Sequence, residues 1–343
     1  MDTKFDMKLC CFGRDDNRGA PLPCDVILAQ DMDFKYEVKD APAQGTDKWL
    51  AWRKQGITAT EAASIMFPDK HSSPLTVYSL KLGLIEADQS DPDGYMEWGH
   101  LIEDLLVRKF MKMHPTFQHA TQGRLYQNGW AKCSLDAQCY DEEGNPVIIE
   151  CKTGQNEAKW NPIPDRYYAQ VQWQMHVTGI RKAYFAVLIR GHQYFEKEVD
   201  YNPAFVEKMK ERCLTVWECI QTKVPPAGLG FFAVDKDAIA AMAGETGHTG
   251  EPQEVDDETV VTYARLKEAA EKAEEEFAAF KNSLSFRMVD ASKLLHKGHT
   301  FATWVERKGA VSVDKVKLQN LYPDVYEKCL KNGVASRYVK YSV

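Results

Sequence analysis

Residues 146–153, Pro146-Val-Ile-Ile-Glu-Cys-Lys-Thr153, form a nearly continuous apolar run with two charged residues near its end. Such a run, bounded by the turn-forming sequence DEEGN at 141–145, is typical of a buried β-strand. Side chains alternate between the two faces of a strand, so Glu150 and Lys152 point to one face and Cys151 to the other. We therefore expect a carboxylate and an amine side by side at the end of a buried strand.

The sequence around this strand predicts a mixed sheet. Two strand-like runs, 117–127 and 130–140, precede it, so the three strands would form a β-meander. Sequence periodicity and end signals predict a helix near Ala59 behind Thr58-Ala-Thr-Glu61, helices over 74–82, 95–113 and 166–178, a hairpin of 182–190 and 193–200, and a helix from Asn202-Pro203. The order predicts an α/β protein, more closely an α+β mixed sheet flanked by helices.

The composition is that of a globular protein, with 343 residues, 44% hydrophobic and 27% charged. The segments are assigned as an N-terminal arm, poorly ordered or packed on an edge (1–45), a main domain (46–224), a linker rich in Pro, Gly and acids (225–258), and a C-terminal helical and β extension (259–343). The N-terminus lacks a signal-peptide pattern, and no run approaches the ~20 apolar residues of a membrane span. We expect a cytoplasmic protein with no membrane partner.

Cysteine usage and charge indicate which compartment and which partners the protein could have. The nine cysteines include no Cys-x-x-Cys pair, which favours buried thiols in a reducing cytoplasm and argues against a zinc site. The net charge of −7 arises within 251–276, where ten acids face three bases. The remainder of the chain is neutral, so the total charge does not exclude a nucleic-acid partner.

An apolar seam follows the predicted linker. Its members alternate in spacing between three and four residues: Tyr263, Leu266, Ala270, Ala273, Phe277, Phe280 and Leu284. This pattern predicts an amphipathic helix, which we expect to pack against its own domain. Packing against a separate helix is the alternative.

Candidate catalytic residues surround the strand at 146–153. Asp136 lies in the preceding strand-like run, so its carboxylate can converge with Glu150 and Lys152. Carboxylates are the ligands that Mg²⁺ prefers, and a bound metal activates water and stabilises charge on a phosphodiester. A lysine beside it can orient or deprotonate that water. The Glu-x-Lys pattern alone is not specific, because it also occurs at Glu37, Glu157 and Glu306; surface charges at a strand end are the alternative.

Two helices supply further candidates. Glu103 stands among apolar positions of the helix at 95–113, where a buried carboxylate needs a metal or a basic partner. An exposed acid is the alternative. Tyr167, Gln170 and Gln174 share one face of a later helix; taken alone, this pattern favours core packing or a solvated polar face.

A phosphate site is suggested at the start of the helix near Ala59. Thr60 lies in its first turn, where free backbone N–H groups attract anions, and Arg53 lies just upstream. Simple capping of the helix by Thr58 is the alternative.

Five blocks in this order, WLAWRKQGITATEA, YMEWGHLIED, CSLDAQ, IIECKT and YYAQVQWQMHVT, together resemble the lambda exonuclease and YqaJ-like viral recombinase family of phage nucleases. The resemblance covers roughly 47–220. It implies a PD-(D/E)xK restriction-endonuclease-like core, here followed by a C-terminal α/β appendage.

The resemblance also implies an activity. Such enzymes are processive 5′-to-3′ exonucleases that degrade one strand of duplex DNA ends to mononucleotides and leave a 3′ overhang for a single-strand annealing protein. They use two Mg²⁺ ions, for which Mn²⁺ can substitute, and act as homo-oligomeric rings, commonly trimers. The resemblance also implies that the protein originates from a phage or prophage and acts in the cytoplasm of a bacterial host.

Residue roles carry over where the motifs match. The resemblance implies catalytic roles for Lys152, Glu150, Asp136, Glu103, Gln170 and Tyr167. It implies metal ligation by Asp136, Glu150, Glu103 and Cys151, and binding of the terminal 5′-phosphate by Arg53, Thr60 and Ser134.

Departures from the family pattern occur beside Asp136, where the usual Ser-Pro-Asp-Gly is Ser134-Leu-Asp-Ala137, and at Thr60, where serine is common. Neither removes a metal ligand. Two alternative functions remain: a structure-specific endonuclease of the same fold, and a non-catalytic DNA-end binder that recruits an annealing protein.

Overall fold

The computed structural model describes residues 36–39, 41–43, 45–86, 94–243, 252–305 and 313–330. The chain divides into two units, Met1–Thr246 and Gly247–Val343. The candidate residues all lie in the first unit. Among the described residues, no helix has both the length and the apolar character needed to span a membrane.

The helices of the first unit begin and end close to the sequence signals. Thr58, Ser73 and Asn202 precede their helices in extended conformation, and Gly83 and Gly179 end theirs with positive φ. The helices are α1 (Asp47–Lys54), α2 (Ala59–Met66), α3 (Pro74–Leu82), α4 (Tyr95–Met113), α5 (Asp165–Thr178), α6 (Pro203–Thr222) and α7 (Lys236–Ala243).

One mixed sheet of five strands, in the order β1-β4-β5-β6-β7, organises the first unit. The pairing of β5 with β6 is parallel and the other pairings are antiparallel. Helix α4 packs on one face of the sheet, and α2, α3, α5 and α6 contribute to the larger core. The strands are β1 (Gln118–Gln122), β2 (Leu125–Asn128), β3 (Ala131–Ser134), β4 (Ala137–Tyr140), β5 (Pro146–Gly154), β6 (Lys182–Ile189) and β7 (Gln193–Asp200).

The predicted β-meander is wrong in detail. Each of the runs 117–127 and 130–140 splits into two strands, so that β2 pairs with β3 in a separate hairpin while β1 pairs with β4. Gly123, with a φ of 68°, turns the chain between β1 and β2. Residue Glu37 of the N-terminal arm forms a bridge with Tyr126, so the described part of the arm lies on the edge of this hairpin.

The linker expected at 225–258 differs from the structure in its first half. Residues 227–243 form two 3₁₀ turns and α7, and they belong to the first unit. The reason is a fully buried carboxylate: Asp235 accepts hydrogen bonds from the Ser73 and Thr76 hydroxyls and from the Phe232 N–H, the last at 2.7 Å. The other segment boundaries remain predictions.

The second unit has its own elements. They are α8 (Asp257–Arg287), β8 (Lys293–His296), β9 (His299–Thr303), α9 (Lys315–Leu321) and α10 (Pro323–Lys328), with β8 and β9 antiparallel. Helix α8 contains the predicted seam but no buried residue, and Leu266, Phe277 and Phe280 are each more than half exposed. The expectation that the seam is buried against its own domain is therefore wrong.

Candidate active site

The central strand β5 and the start of β4 bring the three core candidates together. Ala137 pairs with Ile149 across the antiparallel ladder, so Asp136 stands beside Glu150 at the same edge of the sheet. The Asp136 Oδ2 atom accepts a hydrogen bond from the Cys151 N–H at 2.8 Å. Glu150 and Lys152 lie on one face of β5, and the Lys152 Nζ atom is 2.6 Å from Glu150 Oε1.

The Glu150 carboxylate is 1% exposed and is held by three donors. Its Oε1 atom accepts from Lys152 Nζ and from Gln170 Nε2, each at 2.6 Å. Its Oε2 atom accepts from Gln174 Nε2 at 2.7 Å. Because a buried carboxylate is stable only when charged or polar partners compensate the loss of water, this set of donors accounts for the burial of Glu150.

Helix α5 contacts β5 through a polar face formed by Tyr167, Gln170 and Gln174. Tyr167 lies under the lysine, with Lys152 Nζ 5.1 Å from the centre of its ring. Gln174 donates both to Glu150 and to the Ser134 carbonyl oxygen, the latter at 3.2 Å. Its spacing of four from Gln170 was the only sequence signal for this contact, and it did not distinguish Gln174 from a core residue. The structure therefore adds Gln174 to the site.

Electrostatics link the acids. Burial, followed by the Glu150 carboxylate, raises the pKa of Asp136 well above its usual value, while Lys152 acts in the opposite direction. Burial alone would lower the pKa of Lys152, but the carboxylates of Glu150 and Asp136 outweigh it and raise that pKa above its usual value. Two carboxylates, those of Asp136 and Glu150, thus interact with the single ammonium of Lys152.

Glu103 of α4 belongs to the same corner. Its charge contributes to the raised pKa of Asp136, and its backbone oxygen lies 3.7 Å from the Cys151 Sγ atom. Glu103, Asp136 and Ser134 line a cavity of about 460 Å³. The structure therefore brings all four charged candidates of the catalytic set to one place.

The donor set fits a hard divalent cation. Asp136, Glu150 and Glu103 supply carboxylate oxygens, and the raised pKa of Asp136 marks an excess of negative charge that a cation would relieve. Within the described ranges, however, no three His, Cys, Asp or Glu side chains form a ready-made metal cage. Burial raises the pKa of the Cys151 thiol, and the Cys151 side chain lies on the face of β5 opposite to Glu150, so a metal contact from Cys151 beside Glu150 would use its backbone oxygen.

The predicted phosphate residues lie at the α1–α2 junction and at the end of β3. The Ile57 N–H donates to the Trp130 carbonyl, and the junction adds a parallel bridge between Ile57 and Ala131. Gly56 permits this approach, because a Cβ atom there would lie 2.1 Å from the Trp130 oxygen. The junction is thereby fixed to the strand that ends at Ser134.

Around the junction, Arg53 is held on two sides. Its Cζ atom lies 4.6 Å from the centre of the Trp49 ring, and its Nη2 atom donates to Thr58 Oγ1 at 3.4 Å. Thr60 and Ser134 are both exposed. Their hydroxyls are therefore accessible, as a phosphate site requires.

Trp49 is a residue that the sequence did not single out. It is nine-tenths buried, lines the cavity of about 460 Å³, and its Nε1 atom has no hydrogen-bond acceptor in the part of the chain that the structure describes. A tryptophan in a helical pattern is indistinguishable from a core residue by sequence, so only the packing reveals it.

Comparison with known proteins identifies similar sequences. The YqaJ-like viral recombinase domain matches residues 48–181, a shorter range than the resemblance over 47–220. The uncharacterized protein YqaJ of Bacillus subtilis (strain 168) is 26% identical over 310 residues, which are 85% of this chain and 93% of YqaJ.

Two solved structures are also similar. An alkaline exonuclease (LHK-Exo) from Laribacter hongkongensis is 17% identical, with 52% of this chain and 94% of that chain covered and a TM-score of 0.41. A phage-related exonuclease from Haemophilus somnus 129PT is 10% identical, with 49% and 95% covered and a TM-score of 0.39. The mixed sheet flanked by helices, with Asp136 beside β4 and Glu150 and Lys152 on β5, confirms the predicted α/β fold class. Residues 48–181 are therefore similar to the YqaJ-like viral recombinase domain.

Proposed function

We propose that this protein is a Mg²⁺-dependent exonuclease that degrades one strand of duplex DNA ends from 5′ to 3′. Its products would be mononucleotides and a 3′ overhang that a single-strand annealing protein uses. A homo-oligomeric ring around the DNA, most simply a trimer, would make the degradation processive. The observation that carries the proposal is the convergence of Asp136, Glu150 and Lys152 at one edge of the sheet.

The chemistry divides among the residues by charge. A divalent cation bound by the carboxylates supplies a Lewis acid for hydrolysis of the phosphodiester. Asp136, Glu150 and Glu103 form the acidic side of the cavity. Lys152 keeps its proton beside Glu150, and its ammonium is placed to hold a water or a phosphate oxygen close to the acids.

Arg53 and Thr60 would determine the direction of degradation. Arg53 presents a guanidinium, and Thr60 lies in the first turn of α2, where the helix dipole favours an anion. A terminal 5′-phosphate bound at this place would set the distance from the strand end to the acids. The enzyme would then act on the terminal residue and advance by one nucleotide after each release.

The experiment is a time course on linear duplex DNA labelled at either the 5′ or the 3′ end, with and without Mg²⁺. Immediate release of 5′-labelled mononucleotide, with loss of activity in EDTA that added Mg²⁺ restores, is the expected result. Initial release of 3′-labelled mononucleotide would contradict the polarity. A covalently closed circular duplex is the control, and cleavage of that circle would instead support an endonuclease.

A further inference from the structure

A buried lysine contacts the α1–α2 junction with Arg53 and Thr60, which we call the phosphate corner. Lys81, in the last turn of α3, has a side chain that is 3% exposed. Its Nζ atom lies 2.6 Å from the Arg53 backbone oxygen and 2.7 Å from Glu61 Oε2. One ammonium group therefore joins α3 both to the end of α1 and to the start of α2.

Burial of this ammonium opposes its charge. Desolvation lowers the pKa of Lys81, and the carboxylate of Glu61 works against that effect. An apolar side chain of similar length would avoid the cost of desolvation, and such replacements of buried ion pairs are often neutral or stabilising. The ion pair of Lys81 and Glu61 is thus a weak source of stability. Its function is better inferred from the contacts that it makes.

The geometry closes a ring of contacts around Arg53. Glu61 Oε2 accepts from both Lys81 and the Thr58 N–H, the latter at 2.8 Å. The Thr58 hydroxyl accepts from the Arg53 guanidinium, while the Arg53 carbonyl accepts from Lys81. Both the backbone and the guanidinium of Arg53 are consequently held, directly or through Lys81 and Glu61, against the N-terminal turn of α2. The same turn contains Thr60.

We propose that Lys81 is a positioning residue for the terminal phosphate, which holds the Arg53 guanidinium in register with the first turn of α2. This inference rests on the proposed function, because it assigns the phosphate site to Arg53 and Thr60. Lys81 touches no substrate atom and acts through the Arg53 carbonyl and Glu61. Discrimination between 5′-phosphate and 5′-hydroxyl ends depends on it.

The test compares the affinities of Lys81→Met for duplexes with a 5′-phosphate or a 5′-hydroxyl, measured by fluorescence anisotropy in EDTA. Binding without a divalent cation separates recognition of the end from hydrolysis. Lys54→Met is the matched control, because Lys54 is exposed and adjoins Arg53 in the chain. Arg53→Ala sets the scale of complete loss. We expect Lys81→Met to reduce the ratio of the two affinities by about tenfold, since small displacements of a positioned group have effects of this order.

The outcomes are distinct. An unchanged ratio in Lys81→Met, with a reduced ratio in Arg53→Ala, would overturn the role of Lys81 and leave the proposed function intact. A lower melting temperature with equal loss on both ends would also overturn it, since this is the signature of a merely structural role. If Lys81→Met does not fold, Glu61→Gln provides the same comparison, because it keeps an acceptor for Thr58 and removes the charge that pairs with Lys81. A wild-type protein that binds 5′-phosphate ends selectively but never releases nucleotides would refute the exonuclease and retain this inference.

Discussion

The two corners of the candidate site carry opposite imbalances of charge. At the acidic corner, formed by Asp136, Glu150, Glu103 and Lys152, three acids lie near one lysine, and burial together with the Glu150 charge raises the pKa of Asp136. At the phosphate corner, the cations Arg53, Lys81 and Lys132 outnumber the carboxylate of Glu61 among the described residues, and burial, followed by the charge of Lys81, lowers the pKa of Lys132. The acidic corner thus has an excess of negative charge, and the phosphate corner has an excess of positive charge.

Under the proposed function, this difference in charge would let one site bind two parts of a nucleic-acid end. A cation would relieve the acidic corner, and an anion would relieve the phosphate corner. A DNA end with a terminal phosphate, bound together with a divalent cation, supplies both. The two corners should accordingly respond to different substitutions, with hydrolysis lost at one and end selectivity lost at the other.

The largest effect is expected for Lys152→Ala. This change removes the ammonium group 2.6 Å from Glu150 and should lower the rate of nucleotide release by ~10³-fold or more, since charge stabilisation at a reacting phosphate contributes on this scale. Binding of ends in EDTA should stay close to that of the wild type. Lys159→Ala is the control, because it belongs to another Glu-x-Lys pair of the chain. Near-normal turnover of Lys152→Ala would exclude the proposed role.

A smaller but selective effect is expected at the phosphate corner. Arg53→Ala should reduce kcat/KM on 5′-phosphorylated ends by about 10- to 100-fold more than on 5′-hydroxyl ends, because a charge-assisted contact to phosphate is lost. The measurement is the ratio of kcat/KM for the two duplexes. Equal loss on both ends would contradict the assignment of Arg53 to the phosphate.

Gln174→Leu should weaken the connection between the corners. The amide of Gln174 donates to Glu150 Oε2 and to the Ser134 carbonyl, so its loss frees one oxygen of the carboxylate that we propose as a metal ligand. We expect an increase of about tenfold in the Mg²⁺ concentration for half-maximal activity, the usual effect of removing a group that orients a ligand. Gln172→Leu is the control: Gln172 is equally buried on the same helix but donates to the Asp200 carbonyl. A similar Mg²⁺ requirement in both variants would remove the special role of Gln174.

The sequence predicted the acidic corner more completely than the phosphate corner, for a physical reason. Alternation along a strand places Glu150 and Lys152 on one face without knowledge of any other element, and the antiparallel neighbour supplies Asp136. Lys81, by contrast, occupies the last turn of a helix, where an exposed lysine that stabilises the helix end is the usual occurrence. Its burial depends on three elements meeting, which no local pattern encodes.

The errors in the fold have the same origin. The runs 117–127 and 130–140 were correctly predicted to contain strands, but the pattern of apolar residues does not specify which strand pairs with which. The seam of α8 correctly predicted a helix, since periodicity determines the element, but it did not identify what covers the apolar face. The buried Asp235 lies in a stretch whose Pro and Gly content is typical of linkers, and its partners Ser73 and Thr76 are remote in sequence.

The smallest effect is expected for Lys132→Met, which tests the positive excess directly. Lys132 is 2% exposed, its Nζ atom donates to Gln127 Oε1 at 2.9 Å, and it lies 4.5 Å from the centre of the Trp52 ring. Burial, followed by the charge of Lys81, lowers its pKa to about 8. The amine therefore loses its charge as the pH rises through about 8, and the affinity of the wild type for 5′-phosphate ends should fall there by roughly two- to fivefold, as expected for one partly screened charge.

The stability of the protein should change in the opposite direction over the same range. Because the pKa of Lys132 is lower in the folded chain than in the unfolded chain, the unfolded state binds more protons between pH 8 and the ordinary lysine value of 10.5. The contribution of Lys132 to the free energy of unfolding consequently rises with pH across this interval. Lys132→Met should lose both trends, in titrations of end affinity and in urea unfolding from pH 7 to 10. If end affinity declined with pH equally in the wild type and in Lys132→Met, another group would be responsible, and the positive excess of the phosphate corner would reduce to Arg53 and Lys81.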